Sequence, residues 1–583
     1  MAPAAGLVAL TFAAYSATLL CGYVWDDDLY LTENPAIVRP EGLVRIWASA
    51  DCPQYYPLVF TTFWIEHKLW GFAPAGYHAV NVVLHAANSL LLAAVLRRLG
   101  LRGAWLAAAI FAVHPVHVES VAWITERKNV LYGLFYLLAV RSFLRFEDAV
   151  AERGTPPTGV GRPAAGRSGS YVVGLACFAA AMLSKTVACT LPVALLLVHW
   201  ARGRPITRAF VLRLAPFFAV GLGLALVTIW FERFRVQAIG PDFERTLAER
   251  IIIAGRAVWF YAGKLVWPAN ITFIYPRWTI YASSLVQYAA PTGVVAVLAG
   301  LWLLRRRVGR WPFAAAAYFV ITLSPALGLI NIYFTRFSFV ADHFQYMASV
   351  GVISLLAGVA VWAFEAVPAH YRSGVLTKAV PALCLIVLAF FTWMQTLSYA
   401  NAETLWRDTI KRNPQAWIAH SNLGVLLRQR GEAAAAIECH REAIRLYSGD
   451  AYAWAALGSA LKDVGRVDEG IEACRRAIEL SPNLGDAHYV LAEALVLQER
   501  WSEAIQHYDA ARRINPDEVR SVARRAEAMA ASGEPEEAVS FAPAELARLR
   551  TRPNVLPEDL VKLQRVIERL RAESSESQPA QRD

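Results

Sequence analysis

Polar residues of kinds that do chemistry gather between long apolar runs. The earliest group is Tyr23-Val24-Trp25-Asp26-Asp27-Asp28. Three adjacent carboxylates repel one another and raise at least one pKa unless a cation lies near. The group is either the solvated end of a helix or a place where a carboxylate, Asp26 or Asp27, is held to take a proton. A second stretch runs from His114 through His117 and Glu119 to Arg127 and Lys128. His114 and His117 have the spacing of a partial metal set, but Pro115 separates them and no third histidine is close. Otherwise they are polar wall residues of a pocket. Arg127 suits an anionic ligand such as a phosphate. Lys185, in Ser184-Lys185-Thr186, is either a snorkelling lysine or a second cation for the same anion. Arg336 and the run Asp342-His343-Phe344-Gln345-Tyr346 complete the set.

The elements that must position these residues are membrane helices. The chain is 56% hydrophobic and only 18% charged, a balance foreign to ordinary soluble domains. About 20 apolar residues cross a bilayer. Eleven runs approach that standard: 5–24, 78–96, 103–118, 130–144, 170–184, 186–201, 209–230, 288–304, 311–330, 346–365 and 378–397. The formal charge of +10 sits largely in short loops between them. Arg97, Arg98 and Arg102 form one basic loop, and Arg141, Arg145, Arg153, Arg162 and Arg167 lie at the next. Arg202, Arg204 and Arg208 make a third, Arg305, Arg306, Arg307 and Arg310 a fourth, and Arg372 with Lys378 a fifth. Every second loop is basic, which marks those loops as cytoplasmic rather than as nucleic-acid binding, and places the N-terminus in the cytoplasm. An odd number of spans then puts the C-terminal region outside, on the side that holds the candidate residues above.

Segment 250–276 is apolar but interrupted by Arg256, Lys264 and Pro268, and is expected at the extracytoplasmic interface. Segment 152–169 is expected to be a cytoplasmic loop. The seven cysteines show no metal-binding spacing, and nothing in the placing of Cys21 and Cys52 demands a bridge. The first apolar run lacks a basic flank and a cleavage site, so it is expected to be a retained helix.

From residue 401 a period of 34 residues appears. Leu423-Gly424, Leu457-Gly458 and Leu491-Ala492 recur at that interval, as do Gly431, Gly465, Glu499 and Gly533. Small residues let paired helices approach, and glycine and proline punctuate the turns. The expected organisation is a membrane domain over 1–400, a helical-repeat solenoid over 401–550, and a helical then disordered tail over 551–583. The solenoid serves either as a binding groove for a protein segment or as a stabilising appendage.

Val24-Trp25-Asp26-Asp27, the stretch His114-Pro115-Val116-His117-Val118-Glu119-Ser120-Val121-Ala122 ending in Arg127, Ser184-Lys185-Thr186 and Asp342–Tyr346, followed by these repeats, resemble the transmembrane and tetratricopeptide-repeat proteins. The resemblance covers roughly residues 1–540. It implies an all-α, C-type glycosyltransferase-like membrane domain followed by a tetratricopeptide α-solenoid. It also implies a bacterial-type relative of the protein O-mannosyltransferases, in the inner membrane. The implied donor is a polyprenyl-phosphate-linked sugar and the acceptor a protein hydroxyl. The implied catalytic carboxylate is Asp26 or Asp27. Arg127, Lys185 and Arg336 are then expected at the donor phosphate, and His114, His117, Glu119, Asp342, His343 and Tyr346 around the sugar or acceptor. No metal or other cofactor is required by that chemistry, although an Asp/His set admits a divalent ion. A lipid-linked sugar transporter and a non-enzymatic scaffold remain as alternatives. No clear inverted repeat supports the former, and the one-sided mixture of acids and bases weighs against the latter.

Overall fold

The computed structural model describes residues 2–49, 52–152, 165–234, 240, 242–368, 375–552 and 554–576. Among them the regular structure is entirely helical, and the chain divides into two compact units, Met1–Leu405 and Trp406–Asp583.

In the first unit every expected apolar run carries a helix, but the helices differ in length and character. Five are long and apolar enough to cross a membrane: Pro74–Arg98, Arg208–Phe231, Leu285–Val308, Ser349–Ala366 and Ala379–Tyr399. The expected run 103–118 is broken. Ala104–Ala112 ends, and Pro115–Ala122 continues after a bend of 55°. Pro115, with no N–H to give, starts a new short turn there, and His114 caps it. Pro3–Ala14, Gly169–Ser184, Thr186–Ala201 and Trp311–Ala326 are shorter apolar helices. Among the described residues, then, five helices, or six with the bent pair taken as one, reach full span length, and the remaining expected runs carry shorter helices or more charge.

Two expected loops are ordered. The stretch after Asp26 folds into short turns and the helix Pro57–Trp70, which buries Phe60 and Phe63 against Tyr30, Leu31 and Tyr77. The interrupted segment forms a continuous helix, Leu247–Val266, opened by a capping box between Thr246 and Glu249. Its Gly255 lies against Pro291, so close that an added Cβ would stand 2.6 Å from the Pro291 Cα. Cys21 and Cys52 are both buried.

Several basic loops meet at one end of this unit. Asp148 pairs with Arg98 (2.9 Å), Arg202 (2.5 Å) and Arg204 (2.7 Å). Arg102 pairs with Glu365 at 2.5 Å, and Arg310 donates to the Trp200 carbonyl at 2.9 Å. Of the expected cytoplasmic segments, 153–164 and 369–374 lie outside the described residues.

The second unit is built of helix pairs: Trp417–Gln429 with Ala433–Leu446, Ala451–Asp463 with Val467–Leu480, Gly485–Val496 with Trp501–Ile514, and Val519–Ala531 with Pro535–Arg550. The helix Pro557–Glu576 closes the stack through Leu563, Ile567 and Leu570. The 34-residue column at the turns has a backbone cause. Gly431, Gly465 and Gly533 have φ of +83°, +79° and +95°, and Glu499 takes +57° in the same slot. A second column was hidden in unlike residue types. His420, Trp454 and His488 each donate a ring N–H to the carbonyl six residues earlier, at 3.1, 3.0 and 3.2 Å.

Candidate functional site

The three aspartates have three different environments, because Trp25 turns the chain through φ +48°. Such a conformation is costly for a bulky residue, and other contacts must hold it. Trp25 stacks on Trp123 at 5.4 Å and meets Phe273 and Phe337 edge-on. Beyond the kink, Asp27 points into the wall. Its Oδ2 accepts from the Val24 N–H (2.9 Å), and its Oδ1 accepts from the Thr125 N–H (2.8 Å) and hydroxyl (2.6 Å). Asp27 is fully buried and pins the first loop to the turn before Arg127. Asp28 is exposed and accepts from the Thr32 hydroxyl at 3.1 Å. Asp26 lines a cavity of about 1100 Å³. Its buried Oδ1 has no hydrogen-bond partner among the described residues. Burial raises its carboxyl to about 6, with Lys128 opposing and Glu126 adding to the rise.

Across the cavity stands a compact charge cluster centred on Glu126. This carboxylate is 1% exposed and lies 2.9 Å from the Lys128 Nζ and 3.1 Å from the Lys185 Nζ. Asn129 donates to it at 2.5 Å. Burial would raise the Glu126 carboxyl, but His343 and the two lysines hold it well below the usual range. Lys128 lies over the rings of Tyr30 and Trp123. Burial alone would lower it, yet Glu126, Tyr30 and Asp26 hold it above its ordinary value. Lys185 also donates to the Asn129 Oδ1 at 2.8 Å. Its burial outweighs the pull of Glu126 and brings it down to about 8.

His343 faces the same cavity, and Glu119 orients it from behind. The Glu119 carboxylate accepts from the His343 backbone N–H and from its Nδ1–H, both at 2.9 Å. That leaves Nε2 as the ring nitrogen on the cavity side. Phe334, Phe337 and Phe344 add an aromatic wall. Leu29, Val187, Ala225 and Ile229 make an apolar one.

Thus the structure brings Asp26, Lys185 and His343 of the expected set to one cavity. The others are placed elsewhere. Arg127 is buried inside the wall. It forms a two-point ion pair with Glu66 and donates to the Tyr77 carbonyl (2.8 Å), Thr62 Oγ1 (3.2 Å) and Asn81. A guanidinium so fully engaged has nothing left for a phosphate. Arg336 pairs with Asp242 at 3.0 Å and does not line the cavity. His114 donates to the Leu265 carbonyl at 3.1 Å. His117 joins the Phe111 carbonyl (2.8 Å) to Ser349 Oγ (3.0 Å). The Tyr346 hydroxyl meets His85 (2.8 Å) and Asn88 (3.0 Å). These groups hold the bend at Pro115 together. Asp342 accepts from the Tyr275 hydroxyl at 2.7 Å and from Gln345 at 3.0 Å, and burial beside Glu119 raises its carboxyl.

Sequence reasoning missed Glu126 as a site residue and favoured Arg127 over Lys128. The signal was the alternation itself. Residues 124–126 form a single tight turn, and the helix starting at Arg127 sends adjacent side chains to different faces. No group of three or more His, Cys, Asp or Glu residues is placed to hold a metal ion among the described residues.

A helical membrane unit with a charged, aromatic-lined cavity, joined to an array of helix pairs, defines a polytopic membrane protein with a repeat module. The tetratricopeptide-repeat family matches residues 394–451, 455–519 and 489–548. Over parts of its length the chain is similar to curated relatives. Human "Protein O-mannosyl-transferase TMTC4" is 26% identical over 71% of this chain and 62% of its own length. "Protein O-mannosyl-transferase F38B6.6" of Caenorhabditis elegans is 23% identical over 76% of this chain and 62% of its own. Drosophila melanogaster "Protein O-mannosyl-transferase Tmtc1" is 34% identical over 25% of this chain and 18% of its own. These matches support membership of the transmembrane and tetratricopeptide-repeat family. The chain spans about 62% of the length of the first two relatives. Among solved structures, MamA is 21% identical over 30% of this chain and 89% of its own, with a TM-score of 0.22. A thermophilic tetratricopeptide-repeat protein of Thermus thermophilus is 16% identical over 32% of this chain and 96% of its own, with a TM-score of 0.26.

Proposed function

We propose that this protein is a membrane glycosyltransferase that moves a hexose, mannose or a close analogue, from a polyprenyl-phosphate donor to a protein hydroxyl. The observation that carries the reading is the cavity shared by Asp26, with its unpartnered Oδ1, and the paired Lys128 and Lys185. The O-mannosyltransferase names of the relatives supply the sugar and acceptor class.

In this reading Asp26 takes the proton of the acceptor hydroxyl as its oxygen bonds to the anomeric carbon. The bond from that carbon to the phosphate oxygen breaks, and its electron pair leaves with the lipid phosphate. Lys128 and Lys185 stabilise the charge that grows on that phosphate. Attack from the face opposite the leaving group inverts the anomeric centre. The phosphate is already a good leaving group, so no general acid is needed. His343, fixed by Glu119, borders the sugar. The apolar wall receives the start of the lipid chain. The basic end of the unit is cytoplasmic by the positive-inside rule, the cavity end and the repeats are extracytoplasmic, and the membrane is a bacterial inner membrane.

The test is transfer of radiolabelled mannose from polyprenyl-phosphate-mannose to a serine- and threonine-rich polypeptide by the purified protein, beside Asp26→Asn. Label in the polypeptide that vanishes in the variant supports the reading. A protein that captures polypeptides but transfers nothing is a scaffold. One that carries the lipid-linked sugar across vesicles without forming a new glycosidic bond is a transporter.

A further inference from the structure

Glu126 has no part in the transfer step as written, yet it is the most heavily engaged carboxylate in the cavity. It touches both ammonium groups that would hold the donor phosphate. A site built only to bind phosphate tightly would leave those lysines uncompensated. We propose that Glu126 sets the charge of the phosphate site so that it favours the singly charged phosphodiester donor over the doubly charged phosphomonoester product. This rests on the transferase reading above and names the discrimination made at that site.

The argument is geometric. Any phosphate bound by Lys128 and Lys185 lies within a few ångströms of the carboxylate that both lysines already contact. Its repulsion scales with the ligand's charge. A glycosyl phosphodiester carries one negative charge. The lipid phosphate left after transfer carries between about one and a half and two near neutral pH, roughly as a phosphorylated side chain does. Burial strengthens the effect, because Glu126 and the lysines are shielded from water. Asp26, within electrostatic reach of Lys128 and Glu126, acts in the same direction. Asn129, which donates to Glu126 and accepts from Lys185, ties the cluster together. The product is therefore met by a carboxylate that the donor feels only half as strongly, and it leaves. Glu126 is a specificity-determining residue here, acting through the two lysines.

The experiment is competition binding to the purified full-length protein in nanodiscs, with a fluorescent short-chain polyprenyl phosphodiester displaced by polyprenyl-phosphate-mannose, polyprenyl phosphate and its monomethyl ester. In the wild type, polyprenyl phosphate is expected to bind no more tightly than its singly charged methyl ester. In Glu126→Gln, polyprenyl phosphate should gain about tenfold more affinity than the mannosyl donor, since one unit charge at this range is worth at least that. Lys185→Gln should weaken both lipids, the phosphomonoester more. The proposal is overturned if the wild type prefers the dianion to its methyl ester by more than about tenfold, a comparison that needs no variant to fold. It is also overturned if Glu126→Gln leaves the ratio of the two affinities unchanged. Binding of these lipids with the expected ratios, but without transfer to any polypeptide, would sink the transferase reading and leave the charge discrimination standing.

Discussion

Arg127 offers the sharpest trial of the structure, because sequence reasoning places it at a phosphate and the fold places it in a wall. Its guanidinium is fully buried, and the side chain of Glu66 is only 6% exposed. Glu66→Gln keeps the shape but leaves a positive charge buried with only neutral carbonyl, amide and hydroxyl partners. Breaking a buried pair by removing one partner costs about 3–5 kcal/mol. Since the pair joins the helix Pro57–Trp70 to the helix that Arg127 opens, that loss should appear as lowered thermal stability of the detergent-solubilised protein. Replacing both partners by apolar residues, Glu66→Leu with Arg127→Met, should recover much of it, because no buried charge remains. The measurement is thermal unfolding of the four proteins, with donor KM followed in parallel. If Glu66→Gln melts with the wild type, or if Arg127→Met raises donor KM with unchanged stability, then Arg127 touches the ligand and the account of the wall is mistaken.

Other outcomes follow from the same geometry. Asp26→Asn should lower transfer by at least about a hundredfold with the melting temperature held, whereas Asp27→Asn should lower the melting temperature, since it disturbs three buried hydrogen bonds, each worth about 0.5–1.5 kcal/mol because burial and the neighbouring Asp26 push the Asp27 carboxyl up to about 8. The rate should be bell-shaped in pH. Asp26, raised to about 6, is protonated and inactive as a base below that pH, while Lys185, lowered to about 8, loses its charge above it. A kcat/KM profile that stays flat from about pH 5 to 9 would refute both assignments. Gly458→Val should destabilise the repeats by about 1–3 kcal/mol, because a Cβ there meets the Cys474 Sγ and stands 2.9 Å from the Gly470 carbonyl. Faster amide exchange in Ala451–Leu480 of the intact chain checks it.

The helices and the repeats were legible because they rest on local rules. Apolar length marks a membrane helix, and a 34-residue column marks a repeat even where Glu499 replaces glycine. The cavity was legible only in part. Its polar stretches were found, since charged residues stand out between apolar runs. Which member of a stretch faces the cavity was not readable, because Asp26, Asp27 and Asp28 are chemically identical and differ only through the turn at Trp25. Arg127 and Lys128 likewise differ only by a step along a helix whose partner acid, Glu66, lies 61 residues away. Pro115 stands between the two histidines in the sequence, but 103–118 reads there as one run, and the roles of His114 and His117 as props for the bend depend on contacts to Leu265 and Ser349.

The short helices have a consequence for the surrounding bilayer. Ala104–Ala112 has 9 residues before the bend at Pro115, and Thr186–Ala201 and Trp311–Ala326 have 16 each, so they rise roughly 14, 24 and 24 Å. A hydrocarbon layer is about 30 Å thick. The first and third both pack against Ser349–Ala366, and the second packs against the third, so the shortfall is concentrated in one sector. Lipids around that sector must compress or tilt to match it, as they do around any undersized hydrophobic belt. Lys185 lies just ahead of one of these helices. A thicker membrane is therefore expected to slow the approach of any lipid substrate to the cavity.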